Sequence, residues 1–264
     1  MLADSVRLVL FGTVAGAALA AEPAAVVASA EHRQPIPQLE LAIQGQGTAV
    51  VFIGGFGDEI SGIVPQLMEY LPSVAATECR AYYHWHAGYP QDCEKGAAAL
   101  ARRIQEYRAQ NPGADVVLIG HSMGAGMALR VARKLSAQAG RLFLITLDPS
   151  DRSVVPQRPA AVTWWGNAYV VHSRSGHDYI AVLGGRWNNC RRANLNLAFD
   201  GREMDEAGYP YIHDNALSLM LSRGRGKHAS LYDALVLQLK KAASNSPEGG
   251  KPRPRQPQGQ TNTK

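Results

Sequence analysis

The sequence predicts an α/β fold, a mostly parallel central sheet with helices on both faces. Apolar runs rich in β-branched residues alternate with helix-like stretches, and no internal repeat interrupts the alternation. Residues 115–119 carry no polar side chain after Asp115, as a central parallel strand covered on both faces requires. At 264 residues, 46% hydrophobic and 19% charged, the chain suits one domain with a real core rather than a fibrous or disordered polymer.

Residues 1–21 read as a signal peptide. An uncharged stretch, 8–21, follows Arg7, and the small residues Ala18 and Ala20 stand where a signal peptidase cuts. The stretch is shorter than the roughly 20 residues that cross a bilayer, and Glu22 and Pro23 end it. Export would place the domain, 22–243, in a secreted or periplasmic, oxidising setting. There Cys79 and Cys93, on either side of an expected strand, could pair and leave Cys190 over.

Strands are expected at 48–53, 80–85, 115–119, 141–147, 161–171 and 193–199, with two weaker candidates before Gly45. Helices are expected at 60–70, 92–110, 123–138 and 231–243, and Gly113 and Gly140 stand where the second and third should stop. The tail, 244–264, has no apolar residue to bury and should be disordered. Lys240, Lys241, Lys251, Arg253, Arg255 and Lys264 against Glu248 supply +5, the formal net charge of the chain, so the folded body is close to neutral. Such a tail could touch anionic lipid, and nothing in the sequence points to nucleic acid.

The chemistry starts at Gly120-His121-Ser122-Met123-Gly124. A serine flanked at two residues on each side by glycine suits a sharp strand-to-helix turn, where the glycines relieve crowding around a strained serine. Chance produces this pentapeptide often enough that its setting must decide. Here it follows a buried-type strand and opens a helix of Ala, Leu, Val and Arg. In that setting the Ser122 hydroxyl points out of the carboxyl edge of the sheet as a nucleophile, and the Met123 amide can donate to a developing oxyanion.

From about Thr48 to about Ser218 these residues resemble the α/β-hydrolase superfamily, particularly its secreted lipases and esterases. The resemblance implies a second oxyanion donor in the loop after an early strand, here Gly54-Gly55-Phe56-Gly57-Asp58, with Phe56 as the donor. Many members carry His-Gly where this chain has Gly54-Gly55, a departure that leaves a backbone donor intact. The loop matches neither dinucleotide nor P-loop spacing, and Asp58-Glu59 would repel phosphate. The resemblance further implies an acid at the end of a later strand, which points to Asp148, with Asp178 as the alternative one strand on. The base follows the acid in chain order, leaving His172, His177, His213 and His228, of which His213 best matches the family position and His177 comes next.

His121 points away from its neighbour Ser122 and is expected to pack or line the pocket. His84 and His86 share a strand face without a third ligand nearby, so no metal and no cofactor is expected. Trp85, Tyr89, Trp164 and Trp165 could line an acyl site or simply fill the core. Residues 150–160 are too few for a cap domain, although 173–192 and 200–212, rich in Gly, Asn and Arg, could cover the site. The expected activity is ester hydrolysis on a small-molecule or lipid substrate. Acyl transfer or phospholipase action by the same residues, and a catalytically silent binding protein, are the alternatives.

Overall fold

A computed structural model describes residues 43–84, 90–136, 140–172, 176–227 and 229–244, all within the unit Pro37–Lys264. The expected signal peptide, the two early strand candidates, the basic tail after Ser244, Trp85, His86, Tyr89 and His228 lie outside the described residues, as does the side chain of His177, while Ser244 itself ends the last helix. The described elements are, in order, β1 (Thr48–Ile53), α1 (Asp58–Ser61), α2 (Ile63–Tyr70), β2 (Glu78–Tyr83), α3 (Pro90–Gln110), β3 (Val116–His121), α4 (Met123–Lys134), β4 (Leu142–Leu147), β5 (Val162–Val171), α5 (Gly176–Gly184), β6 (Leu195–Asp200), α6 (Ala216–Leu221) and α7 (Leu231–Ser244).

The six strands form one sheet in the order β2-β1-β3-β4-β5-β6, every neighbouring pair parallel. The α/β fold expected from the sequence is the one found. Side chains alternate across it with the period of two that a strand imposes. Val51, Ile53, Leu118 and Leu144 face a core built with α3 and α4, while Val50, Phe52, Ile119 and Ile145 face a core built with α2, α6 and α7. Every residue of β1, β3 and β4 is buried, which is why those runs read as continuously apolar. From β4 the chain reaches β5 without a helix or strand, so nothing resembling a cap domain stands there.

Chain order reverses between β1 and β3: one connection leads outward to β2, the next returns to the other side of β1. In open parallel sheets the crevice outside the carboxyl ends at such a point is where ligands bind. The loop after β1 and the turn after β3 flank it.

Three local departures from the sequence reading have physical causes. The expected helix 60–70 is two helices, because Gly62 takes a left-handed φ of 63° and the Asp58 carboxylate accepts the Val64 amide at 3.0 Å, opening a new first turn. Strand β2 starts two residues early, since the Glu78 carboxylate gathers the Val74 and Ala75 amides at 2.8 and 3.3 Å and sets the strand's entry. The helix expected to run to 138 stops at Lys134, where Leu135 turns extended and buries its side chain.

The expected Cys79–Cys93 disulfide is absent, and all three cysteines are buried as thiols. Cys79 neighbours the Tyr107 hydroxyl, which donates to the Gly47 carbonyl at 2.7 Å near the far end of α3, whereas Cys93 lies in that helix fourteen residues earlier. At 1.5 Å per residue the two ends are about 21 Å apart, and a disulfide needs Cα atoms within about 7 Å. Burial pushes the Cys190 thiol up to about 12, which leaves it unreactive.

Candidate active site

Ser122 occupies the turn between β3 and α4 with φ 54° and ψ −127°, one of three non-glycine residues with positive φ among those described. Such backbone costs on the order of 1–3 kcal/mol and persists only where the surroundings impose it. Here the Ser122 amide donates to the Leu147 carbonyl at 3.0 Å, and its carbonyl accepts the amides of Ala125 and Ser150 at 3.1 and 3.2 Å. The flanking glycines are needed sterically. A Cβ at Gly120 would stand 2.5 Å from the Gly124 carbonyl oxygen, and one at Gly124 would run into the carbonyl oxygens of Ile53 and Gly54.

The loop after β1 closes directly on this turn. A Cβ at Gly55 would lie 2.9 Å from that of Ser122, so only a bare backbone fits beside the serine. Asp58 anchors the loop from below, accepting the Tyr82 hydroxyl at 2.6 Å and the Val64 amide at 3.0 Å. Burial raises the Asp58 carboxyl above its usual range, and the Tyr82 hydrogen bond and the Val64 amide pull back against it. Phe56, between these contacts, keeps its side chain exposed.

Asp148 follows β4 with φ 36° and is fully buried. Its amide donates to Ala168 at 2.8 Å, while Oδ1 accepts the Val170 amide at 3.0 Å, so the neighbouring strand β5 fixes both backbone and carboxylate. His213 arrives on the loop between β6 and α6. Its Nδ1 lies 2.6 Å from Asp148 Oδ2 and its Nε2 2.9 Å from Ser122 Oγ. An ionised carboxylate can only accept, so Nδ1 carries the proton and Nε2 is left to accept from the serine hydroxyl. Burial works to raise the Asp148 carboxyl, but the hydrogen bond and charge of His213, the charge of Arg186 and the Val170 amide outweigh it, and the group sits below the usual carboxylate range.

Asp178, the alternative acid, lies on α5 and bonds to Arg186 at 2.7 Å, not to His213. His172 is exposed beside Asp200 and Arg202, 3.5 Å from each. His84 approaches Glu59 at 3.6 Å. Of the two readings left open for the tryptophans, core filling holds for the two that are described. Trp165 is wholly buried and donates to Thr146 Oγ1 at 3.0 Å, and Trp164 packs with Val170, Leu197 and Leu235 on the other face, so both fill the core.

His121 packs beside the site as expected, whereas Ser150 and Arg186 escaped the sequence reading. His121 donates from Nε2 to the carbonyl of His213 at 2.7 Å, its ring 4.7 Å from that of His213. Ser150 places its hydroxyl 3.4 Å from Ser122 Oγ. Arg186 bonds Asp148 Oδ2 at 2.9 Å. The segment 173–192, expected as a loop cover, contains helix α5 and is tied down after it: Arg186 bridges to Ser150, and the Trp187 amide donates to the Pro149 carbonyl at 2.8 Å. The segment 200–212 folds on itself, the Asp205 amide donating to Tyr209 at 2.8 Å and the Tyr211 amide to Glu203 at 3.2 Å.

Residues 50–234 match the model of the alpha/beta hydrolase family. Similar solved structures include a hydrolase of the alpha/beta superfamily from Xanthomonas campestris pv. campestris, at 19% identity and a TM-score of 0.37, covering 75% of this chain and 99% of that one. Esterase PE8 matches at 16% identity and a TM-score of 0.37, covering 67% of this chain and 93% of its own. The RedJ thioesterase from the prodiginine biosynthetic pathway in Streptomyces coelicolor matches at 13% identity and a TM-score of 0.34, covering 74% and 85%. No curated protein matches the sequence.

Proposed function

The chain belongs to the alpha/beta hydrolase family, and on that premise we propose that it is an exported serine hydrolase of carboxylic esters, with Ser122 as nucleophile, His213 as base and Asp148 as acid. The observation that carries this reading is the His213 imidazole, held between Asp148 Oδ2 at 2.6 Å and Ser122 Oγ at 2.9 Å.

In this reading the hydroxyl of Ser122 attacks the acyl carbonyl while His213 Nε2 takes its proton. Asp148 keeps the imidazole in the required tautomer and stabilises the imidazolium that forms. The amides of Met123 and Phe56 serve the oxyanion, Met123 as the first residue of α4 and Phe56 from the loop packed against Ser122. Collapse of the tetrahedral species passes the proton from His213 to the departing alkoxide and leaves an acyl-serine. Water repeats the sequence and frees the acid. Exposed Phe56 and Ile60, at the carboxyl edge of the sheet, suit an apolar acyl group in place of the buried tryptophans. Export rests on the sequence features of residues 1–21, and the mature chain begins near Ala21 or Glu22 in this reading.

The test is hydrolysis of p-nitrophenyl esters of graded chain length, with fluorophosphonate labelling and Ser122→Ala in parallel. Wild-type turnover and labelling, both lost in Ser122→Ala with a rate drop on the order of 10⁴ or more, are the expected results. A chain that neither turns over nor labels overturns the reading in favour of a binding role. N-terminal sequencing of exported material checks the cleavage site.

A further inference from the structure

The cation beside Asp148 is unexpected chemically. The acid's negative charge is what stabilises the imidazolium, and an arginine on the same oxygen draws on that charge. Arg186 Nη2 nevertheless lies 2.9 Å from Asp148 Oδ2, and the same atom lies 2.7 Å from Asp178 Oδ1. The side chain is 11% exposed, and its Nε is buried without a hydrogen-bond partner among the described residues, so the two carboxylates are its principal anchors.

We propose that Arg186 is a positioning residue for Asp148, and that Asp178 restores the charge Arg186 takes from it. The proposal rests on the reading of Ser122, His213 and Asp148 given above. Two carboxylates around one guanidinium present to His213 the net charge of a single carboxylate, while Oδ2 gains a fixed second donor. With the Val170 amide on Oδ1, Asp148 is then held from three sides, by β5, by His213 and by Arg186.

The backbone serves the same end. Residue 186 bridges to Ser150, the Trp187 amide donates to Pro149 at 2.8 Å, and Trp187 Nε1 donates to the Asp151 carbonyl at 3.0 Å. The chain after α5 is thus fastened to the three residues that follow Asp148. Asp178, buried in the first turn of α5, comes with it. Among the described residues, the charged and titratable groups facing His213 include His121 from β3, Asp148 from the end of β4 and Asp214 beside it in the chain, with Arg186 and Asp178 behind Asp148.

The arrangement predicts shifts of opposite sign. Arg186→Met removes the cation that Asp148 and Asp178 share, so His213 faces more net negative charge and the acid limb of kcat/KM moves up, on the order of one pH unit. Asp178→Asn leaves Arg186 acting on Asp148 alone, so the limb moves down by a similar amount. Arg186→Lys keeps the charge and stays near wild type. Arg186→Met with Asp178→Asn restores the limb but keeps a lowered kcat, because Oδ2 has lost its fixed donor. The same midpoints are read by NMR titration of the His213 ring in the full chain carrying Ser122→Ala, identified against His213→Gln, which needs no turnover. If no ester is hydrolysed, the proposed function fails while the ring titration still decides this inference. Limbs or ring midpoints that stay put, or move the same way in Arg186→Met and Asp178→Asn, would reduce Arg186 to a structural tie. Should Arg186→Met not fold, the downward shift of Asp178→Asn, measured against Arg186→Lys, decides the inference alone.

Discussion

His121 donates from Nε2 to the backbone carbonyl of His213 at 2.7 Å, so the residue before the nucleophile holds the backbone of the base. The rings meet at 4.7 Å. Burial, with the neighbouring charge of His213 acting in the same direction, pushes His121 down to about 3. It is therefore neutral when folded and takes up a proton near 6.5 when unfolded.

That difference fixes a pH dependence. The unfolded chain binds the additional proton, so stability falls as pH drops through about 6.5 toward 3. His121→Gln keeps a donor for the His213 carbonyl and removes the titration, so acid unfolding followed by circular dichroism should move to lower pH. His121→Leu leaves that buried carbonyl unpaired and should cost about 1–3 kcal/mol in urea unfolding at neutral pH. An unchanged acid midpoint in His121→Gln would count against the buried neutral imidazole.

Asp148 and Asp178 are told apart by substitution. Asp148→Asn should lower kcat on the order of 10⁴-fold, since an amide at that place favours the wrong imidazole tautomer. Asp178→Asn removes no hydrogen bond of His213 and should keep most of the activity at pH 8. The reverse ranking in ester assays would transfer the acid's role to Asp178.

The side chain and the amide of Phe56 separate in the same way. Phe56→Ala trims an exposed ring and should leave kcat nearly unchanged. Phe56→Pro deletes the amide and should reduce kcat on the order of 10²- to 10³-fold with little change in KM. Equal effects from the two would remove Phe56 from the oxyanion site.

The thiols give a direct check on the fold. Cys79, Cys93 and Cys190 are buried and form no disulfide, so intact-mass spectrometry should find no alkylation by iodoacetamide in the native chain and three additions after unfolding without reductant. Only one addition on unfolding would reinstate a disulfide.

The nucleophile turn was legible because everything that makes it is local. Five consecutive residues carry the two glycines whose absent Cβ atoms let the turn form, and the strand before them announces its burial by composition. The loop after β1 was placed by the resemblance rather than by a local pattern, and its approach to Ser122 as bare backbone is tertiary. Helix α5 was not legible. Its segment is rich in Gly, Asn and Arg, and its first-turn Asp178 is held by Arg186, which lies beyond the helix. The disulfide expectation failed because closeness in sequence says nothing about which turn of a 21-residue helix a strand residue meets.

The sequence by itself determined the order of the six strands and of the longer helices, the parallel layering and the serine turn, because these follow from side-chain period, apolar content and short-range backbone sterics. The tertiary structure alone decided which aspartate meets His213, that His121 braces its backbone, and that Arg186 joins Asp148 to Asp178. Those pairings span 65, 92 and 38 residues, and strand order and register, rather than any local pattern, bring them within hydrogen-bonding distance.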